Sequence, residues 1–128
     1  ANTVLEESVH TLRMKAQRIK NKETRRQKME QALQLAQAWL ARFGLKDQAS
    51  RSPYQLSTAD KRCLALLSVL IADPKLVVLD EPTAGLDYAS ADRLLSYCYS
   101  YARQGNAVVM ITHDHKVASK WSVKSLRL

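Results

Sequence analysis

Apolar residues in the first half of the chain recur at the three- and four-residue steps of α-helices. Thr3 precedes two acidic residues, as an N-cap does, and predicts a first helix that runs to about Arg18. A second, longer helix is predicted to end at Gly44, because glycine is the usual residue just past a helix C-terminus. The apolar face of this second helix consists of Met29, Ala32, Leu33, Ala36, Trp39, Leu40 and Phe43.

A third helix is predicted after the polar connector 44–53. Ser57 and Asp60 have the Ser-x-x-Asp spacing of a capping box ahead of an apolar run. The pair Asp73-Pro74 ends this helix, since the residue before a proline avoids the α conformation. We therefore expect residues 1–73 to form a helical subdomain.

Two continuous apolar runs, 76–79 and 107–111, predict strands in the second half. Such runs are typical of strands that are covered on both faces, as in a parallel sheet. Residues 88–104 between them have helical spacing, and Gly105 ends that helix. Strand, crossover helix and strand make one βαβ unit, so the fold class is α/β and residues 74–128 form a second domain. A short helix is expected over 114–120, and 125–128 are expected to begin a further strand.

Composition indicates an ordinary globular protein. The chain has 128 residues, of which 46% are hydrophobic and 25% charged, and this excludes global disorder. No apolar run approaches the roughly 18 residues of a membrane span, and the acidic start of the sequence is not that of a signal peptide. Cys63 and Cys98 belong to no CxxC pair, so we expect free thiols in a reducing cytosol.

The three glycines limit what nucleotide chemistry this stretch of sequence supports. Gly44, Gly85 and Gly105 are separated by 41 and 20 residues. A phosphate-binding loop needs two glycines five residues apart, and a dinucleotide loop needs three within six. These 128 residues therefore contain no glycine-rich phosphate loop.

Polar residues with possible chemistry follow both predicted strands. Asp80 and Glu81 come at the end of the first strand, at the sheet edge where open α/β sheets bind ligands. One carboxylate can hold Mg²⁺, and the other can orient and deprotonate a water molecule. His113 follows the second strand and can reach the same place. The alternative is a solvated acidic turn and a structural histidine.

Three segments together resemble the ATP-binding subunit of ABC transporters, in their order and their spacing. The segments are Leu56-Ser57, then Leu79-Asp80-Glu81-Pro82-Thr83-Ala84-Gly85-Leu86-Asp87, then Thr112-His113-Asp114. The resemblance implies a partial P-loop NTPase domain, with a helical subdomain followed by parallel strands and crossover helices. It also implies an ABC-type ATPase that couples ATP hydrolysis to transport.

The resemblance also implies roles for five residues. Asp80 is the Mg²⁺-associated carboxylate and Glu81 is the general base for water. Asp87 closes the loop that crosses the dimer interface, and His113 senses the γ-phosphate. Ser57 belongs to the signature motif, which contacts the ATP bound to the other subunit. ATP and Mg²⁺ would accordingly be bound only in an intact dimer.

A finer resemblance is to the energy-coupling-factor branch, which imports vitamins and transition-metal ions. Residues 3–8 read Thr-Val-Leu-Glu-Glu-Ser, where that branch has Thr-Val-x-Glu-Glu-Val. Residues 51–57 read Arg-Ser-Pro-Tyr-Gln-Leu-Ser, close to the run that precedes its signature. The implied partners are a second ATP-binding subunit and a transmembrane coupling subunit, at the cytoplasmic face of the cell membrane.

The sequence departs from the family pattern in two places. The family's phosphate loop, adenine-stacking aromatic residue and Q-loop glutamine would all lie before residue 1. We therefore expect an incomplete domain that neither binds ATP tightly nor hydrolyses it alone. The signature Leu-Ser-Gly-Gly-Gln reads Leu-Ser-Thr-Ala-Asp over residues 56–60, which predicts a weakened or inactive composite site. The alternative is that Ser57 alone suffices.

A basic stretch accounts for much of the net charge of +8. Residues 13–28 hold eight bases and one acid, with no aromatic residue between them, so nucleic-acid binding is not favoured. A solvated helix face and connector is the ordinary interpretation. The resemblance to ABC transporter subunits implies that some of this charge faces a cytoplasmic membrane surface.

Three other functions are alternatives to the transporter assignment. An SMC-type ATPase would need a long heptad coiled coil before the signature, and the sequence has none. A ribosome-associated ABC protein usually reads Thr-Asn-His-Leu-Asp where residues 83–87 read Thr-Ala-Gly-Leu-Asp. The last alternative is an interaction fragment with no catalytic role.

Overall fold

The computed structural model describes residues 3–121, and the chain divides after Asp73 into two compact units. Within the described residues, the first unit contains four α-helices and the second contains two strands and two helices. The strand expected over 125–128 lies outside the described residues.

The first predicted helix is two helices, so the expectation of a single helix is wrong. α1 spans Val4–Ser8 and α2 spans His10–Gln17. The Ser8 hydroxyl donates to the Leu5 carbonyl at 2.7 Å, and such a bond competes with the helical ladder. Val9 leaves the helical conformation (φ −99°, ψ 0°) while its side chain is fully buried, so core packing sets the break.

The start of α1 is fixed by a complete capping box and by the connector. The Thr3 hydroxyl accepts from the Glu6 N–H at 3.2 Å, and the Glu6 carboxylate accepts from the Thr3 N–H at 2.9 Å. The Val4 N–H donates to the Arg51 carbonyl at 2.9 Å. The polar connector is therefore tied to the first turn of the unit.

The long helix α3 spans Lys22–Arg42. Asn21 is its N-cap, and the Asn21 side chain accepts hydrogen bonds from two backbone N–H groups. Gly44 follows it with φ +72°, a conformation that glycine adopts without a steric penalty. Leu33 belongs to the predicted apolar face of this helix but is 40% exposed. The buried residues of the helix itself are Ala32, Ala36 and Leu40.

The helix α4 spans Thr58–Leu70 and provides much of the core of the first unit. Ser57 is its N-cap, as predicted, and accepts from the Asp60 N–H at 3.1 Å. Its buried side chains are Cys63, Leu64, Leu66, Leu67 and Leu70.

The second unit is built on a parallel pair of strands. β1 spans Leu76–Asp80 and β2 spans Ala107–Ile111, in a register that pairs the first residues with each other and the last with each other. The crossover helix α5 spans Tyr88–Arg103, and the short helix α6 spans His115–Trp121. These elements confirm the predicted α/β class. Because the sheet has two strands among the described residues, each strand has an outer edge without a strand partner.

Only one face of this sheet is covered within the described residues, so the expectation of coverage on both faces is wrong for them. Val77 is 3% exposed on the covered face, and α5 packs against β2. The apolar side chains on the opposite face are between 49% and 60% exposed: Leu76, Val78, Val109 and Ile111.

None of the helices within residues 3–121 combines the length and apolar character that crossing a bilayer requires.

The covered and open faces of the sheet predict losses of stability of different size when adjacent valines are truncated. Val77→Ala removes buried methyl groups and leaves a cavity, so it should lower the free energy of unfolding by about 2 kcal/mol. Val78→Ala removes exposed methyl groups and should change that free energy by less than about 0.5 kcal/mol. Urea unfolding of both variants measures the difference, and equal losses would contradict the assignment of the faces.

The start of α5 predicts a pH dependence of stability. Asp87 caps this helix, and hydrogen bonds from the Ser90 side chain and backbone N–H hold the pKa of that carboxyl below its usual 3.8. Stability from the cap is therefore present above pH 3.8 and is lost as the pH falls through the lower folded-state pKa.

In thermal melts, Asp87→Ala should therefore have a lower Tm than wild type at pH 7, and the gap should close in strong acid. Asp87→Asn is the matched control, because asparagine caps helices but does not titrate. A gap that is constant from pH 7 to strong acid would exclude the ionised cap as its cause.

Candidate active site

Two acidic residues lie at the carboxyl end of β1. Asp80 is the last residue of the strand, pairs with Ile111 and is exposed. Glu81 follows it outside the ladder. Ligands of parallel sheets bind at this edge, so both carboxylates occupy the place that the sequence predicts for them.

Glu81 has a left-handed backbone conformation, with φ +47°. This conformation costs about 1–2 kcal/mol for a residue with a Cβ, so neighbouring bonds must hold it. The Glu81 N–H donates to the Ile111 carbonyl at 2.8 Å, and the Glu81 carbonyl accepts from the Ala84 N–H at 3.2 Å. These bonds fix the direction in which the carboxylate leaves the strand.

The Glu81 carboxylate contacts the segment that leaves β2. Its Oε1 accepts from the backbone N–H of His113 at 2.8 Å and lies 3.7 Å from His113 Nε2. The imidazole is 98% exposed, whereas the glutamate side chain is 32% exposed. The structure thus brings Glu81 and His113 together at one rim of the sheet, with the imidazole open to solvent.

The donor set at this rim suits a cation that is shared with a phosphate. Within residues 3–121 no group of three or more His, Cys, Asp or Glu side chains could hold a metal ion. Asp80 is a single exposed carboxylate beside Glu81. Mg²⁺ typically takes one or two protein carboxylates and completes its shell with phosphate oxygens and water, so the residues present fit it in that form.

A tight turn joins β1 to α5. The Leu86 N–H donates to the Thr83 carbonyl at 3.1 Å, and Thr83 is buried. Gly85 has φ +79°, which glycine allows. Asp87 then caps α5 by accepting from the Ser90 N–H at 2.8 Å. The structure therefore gives Asp87 a local folding role, whatever else it contacts.

Ser57 belongs to the first compact unit, where it caps α4. The Asp60 carboxylate accepts from the Gln48 side-chain amide at 3.4 Å, so it too is engaged within that unit. Thr58 is exposed in the first turn. The family signature has two glycines and a glutamine after its serine. In this chain the first turn of α4 has Thr58, Ala59 and Asp60 at those positions.

The sequence interpretation missed two polar contacts around α6. Asp114 caps this helix by accepting from the N–H groups of Lys116 and Val117, a capping signal that the sequence contains. Asp92 on α5 accepts from Lys120 Nζ at 2.9 Å and from Trp121 Nε1 at 3.4 Å. The Lys120 hydrogen bond is the main cause of the lowered pKa of Asp92. No local pattern predicts a pair 28 residues apart.

Residues 9–119 match the model of a known protein family. Its description is "AAA domain, putative AbiEii toxin, Type IV TA system". The match covers most of the chain, including both strands and the acidic pair.

Curated relatives are named as ATP-binding proteins of ABC transporters. The chain is 37% identical over 103 residues to the uncharacterised ABC transporter ATP-binding protein YvrO of Bacillus subtilis, covering 80% of this chain and 42% of that protein. It is 43% identical over 91 residues to the lipoprotein-releasing system protein LolD of Shewanella frigidimarina, covering 70% and 38%. It is 34% identical over 86 residues to the energy-coupling factor protein EcfA2 of Lactobacillus acidophilus, covering 66% and 30%. The chain therefore spans less than half the length of these relatives.

A solved structure with the same fold is described as "An inward-facing conformation of a putative metal-chelate type ABC transporter". The TM-score is 0.74 at 26% identity, over 92% of this chain and 46% of that one. The resemblance of the motifs to ABC transporter ATP-binding subunits is thus confirmed, and so is the P-loop NTPase fold class. The chain belongs to the family of this AAA domain model, and its curated homologues are ABC transporter ATP-binding proteins.

Proposed function

We propose that this chain provides the water-activating half of an ABC-type ATPase site that drives import. The observation that carries the proposal is the contact of Glu81 with His113 where two paired parallel strands end. The motif order supports it, and so do the names of the curated relatives.

In the proposed site Glu81 orients and deprotonates the attacking water. General-base assistance is effective only when the carboxylate is positioned, and three bonds to neighbouring residues restrict Glu81. His113 extends an exposed imidazole beside it, where that side chain can donate to a γ-phosphate. Asp80 would hold Mg²⁺, which supplies charge neutralisation at the phosphates when it is bound.

Triphosphate binding depends, in this proposal, on groups beyond these residues. The 128 residues contain no glycine-rich phosphate loop, so another part of the whole protein or a partner chain supplies it. We propose that the chain acts in a dimer of ATP-binding subunits, on a transmembrane coupling subunit at the cytoplasmic face of the membrane. The similarity to EcfA2 supports an energy-coupling-factor-like importer.

The start of α4 supports a further proposal about the dimer. In an ABC dimer the signature helix approaches a phosphate held by the other subunit, and Asp60 places a negative charge in its first turn. At about 4–6 Å and an effective dielectric near 20, repulsion between unit charges is on the order of 3–4 kcal/mol. We propose that this signature makes one composite site weak, as in an asymmetric heterodimer with one working site.

The role of Glu81 predicts two results for ATP hydrolysis. The 128-residue chain alone should hydrolyse ATP no faster than its Glu81→Gln variant, because these residues include no loop that positions the phosphates. In a chimera joined behind the part of YvrO that precedes its matching segment, Glu81→Gln should lower kcat by about 10²–10⁴-fold.

Glu30→Gln is the matched control for that chimera, because Glu30 is an exposed glutamate on α3 in the other compact unit. Radiolabelled phosphate release measures each rate. Equal rates for wild type and Glu81→Gln in an active chimera would refute the assigned base.

The altered signature predicts a gain of function. Thr58→Gly, Ala59→Gly and Asp60→Gln together in the chimera should raise the ATPase rate, since they remove two side chains and a repelling charge. Asp60→Gln alone separates the charge effect from the close approach of the backbone. No gain from the triple change would show that Ser57 alone suffices.

A further inference from the structure

The short helix α6 begins two residues after His113, so the attachment of this helix bears on the candidate site. Of its seven residues, Val117 is the buried one. Isolated helices shorter than about 12 residues are marginal in water, so α6 depends on contacts with its neighbours. The path of the chain past His113 therefore depends on what holds α6 in place.

Asp92 of α5 holds the last turn of α6 through two hydrogen bonds. Its Oδ2 accepts from Lys120 Nζ at 2.9 Å, and its Oδ1 accepts from Trp121 Nε1 at 3.4 Å. An exposed ion pair by itself contributes little to stability. Here the second bond uses the other oxygen of the same carboxylate, so the two bonds together restrict both the distance and the orientation of α6.

Two ring contacts extend this attachment along the same face of α5. Tyr88 and Tyr99 lie four and seven residues from Asp92, which places the three residues on one side of the helix. Lys116 Nζ is 5.6 Å from the centroid of the Tyr88 ring. The Tyr99 and Trp121 rings meet edge to face with their centroids 6.1 Å apart. The helix α6 is thus held at both ends, with Asp92 between the two ring contacts.

The segment between β2 and α6 connects this attachment to Glu81. The Thr112 hydroxyl accepts from the Asp114 N–H at 3.0 Å, and Asp114 caps α6. His113 lies between these two residues, and its N–H donates to the Glu81 carboxylate at 2.8 Å. Because the exposed imidazole has little packing of its own, the backbone of this segment determines where the imidazole lies.

We propose that Asp92 is a positioning residue of the candidate site, which holds α6 and thereby keeps His113 beside Glu81. Asp92 and Lys120 lie outside the segments that carry the family resemblance. The importance of the held position rests on the proposed function, in which His113 donates to the γ-phosphate. The attachment itself needs no nucleotide, so its measurement on the 128-residue chain does not depend on ATPase activity.

The test measures by NMR how fast the His113 N–H of the full chain exchanges with water. This N–H is bonded to Glu81, so its exchange reports local opening of the segment. Asp92→Ala should raise the rate by about threefold or more, and Lys120→Ala should raise it by a smaller factor. The double variant should match Asp92→Ala alone, because the lysine acts through that carboxylate.

The two single variants also separate positioning from a simple charge effect. They remove charges of opposite sign, so a purely electrostatic influence on exchange would move the His113 rate in opposite directions. Asp47→Ala is the matched control, since it removes an exposed carboxylate in the first compact unit and should leave the rate unchanged.

A second N–H separates loss of positioning from general destabilisation. The Ala107 N–H donates to the Lys75 carbonyl at 2.8 Å at the far end of the strand pair, and its exchange rate should stay within about twofold. An unchanged His113 rate in Asp92→Ala, an equal increase at Ala107, or opposite shifts in the two single variants would each overturn the proposal.

Trp121→Phe provides a test that does not require the Asp92→Ala variant to fold. Phenylalanine keeps a ring against Tyr99 and removes the N–H that donates to Asp92. Exchange at His113 should rise while exchange at Ala107 does not, and thermal melts check that the variant is folded. A folded Trp121→Phe variant with an unchanged His113 rate would count against the proposal.

Discussion

The parallel pairing of β1 with β2 is the constraint on which the candidate site depends. Because the two strands end at the same level, the Glu81 N–H reaches the Ile111 carbonyl and the His113 N–H reaches the Glu81 carboxylate. Residues 32 positions apart in sequence thereby share one rim. A slip of one residue would move Val77 to the open face and break both bonds.

Several motif residues act in local folding before any ligand is considered. Ser57, Asp87 and Asp114 each cap the helix that follows them. A cap satisfies N–H groups that a helix start leaves unpaired, and a helix start is also where a phosphate binds. The same residue type therefore serves both purposes, and capping alone cannot identify a ligand site. Glu81 differs from these three residues because its contacts restrain a strained backbone and cap no helix.

The sequence predicted those features whose causes are local. Both strands and α5 follow from apolar runs and from Gly105, and the family follows from the motif order. The break at Val9 was not predictable, because it arises from a hydroxyl contact and from burial in a core that the sequence does not display. The apolar runs predicted that strands form, but they did not indicate which face of the sheet is covered by the described residues. The contact of Asp92 with Lys120 likewise depends on the packing of α6 against α5.

The left-handed backbone at Glu81 has a consequence for how related sequences can be compared. Glycine or asparagine would adopt this conformation with less strain, but either would lose the carboxylate that accepts from the His113 N–H. A glutamate at this position is therefore favoured by its side chain and disfavoured by its backbone. A related chain with glycine at position 81 would relax the turn and leave the segment after β2 without this contact.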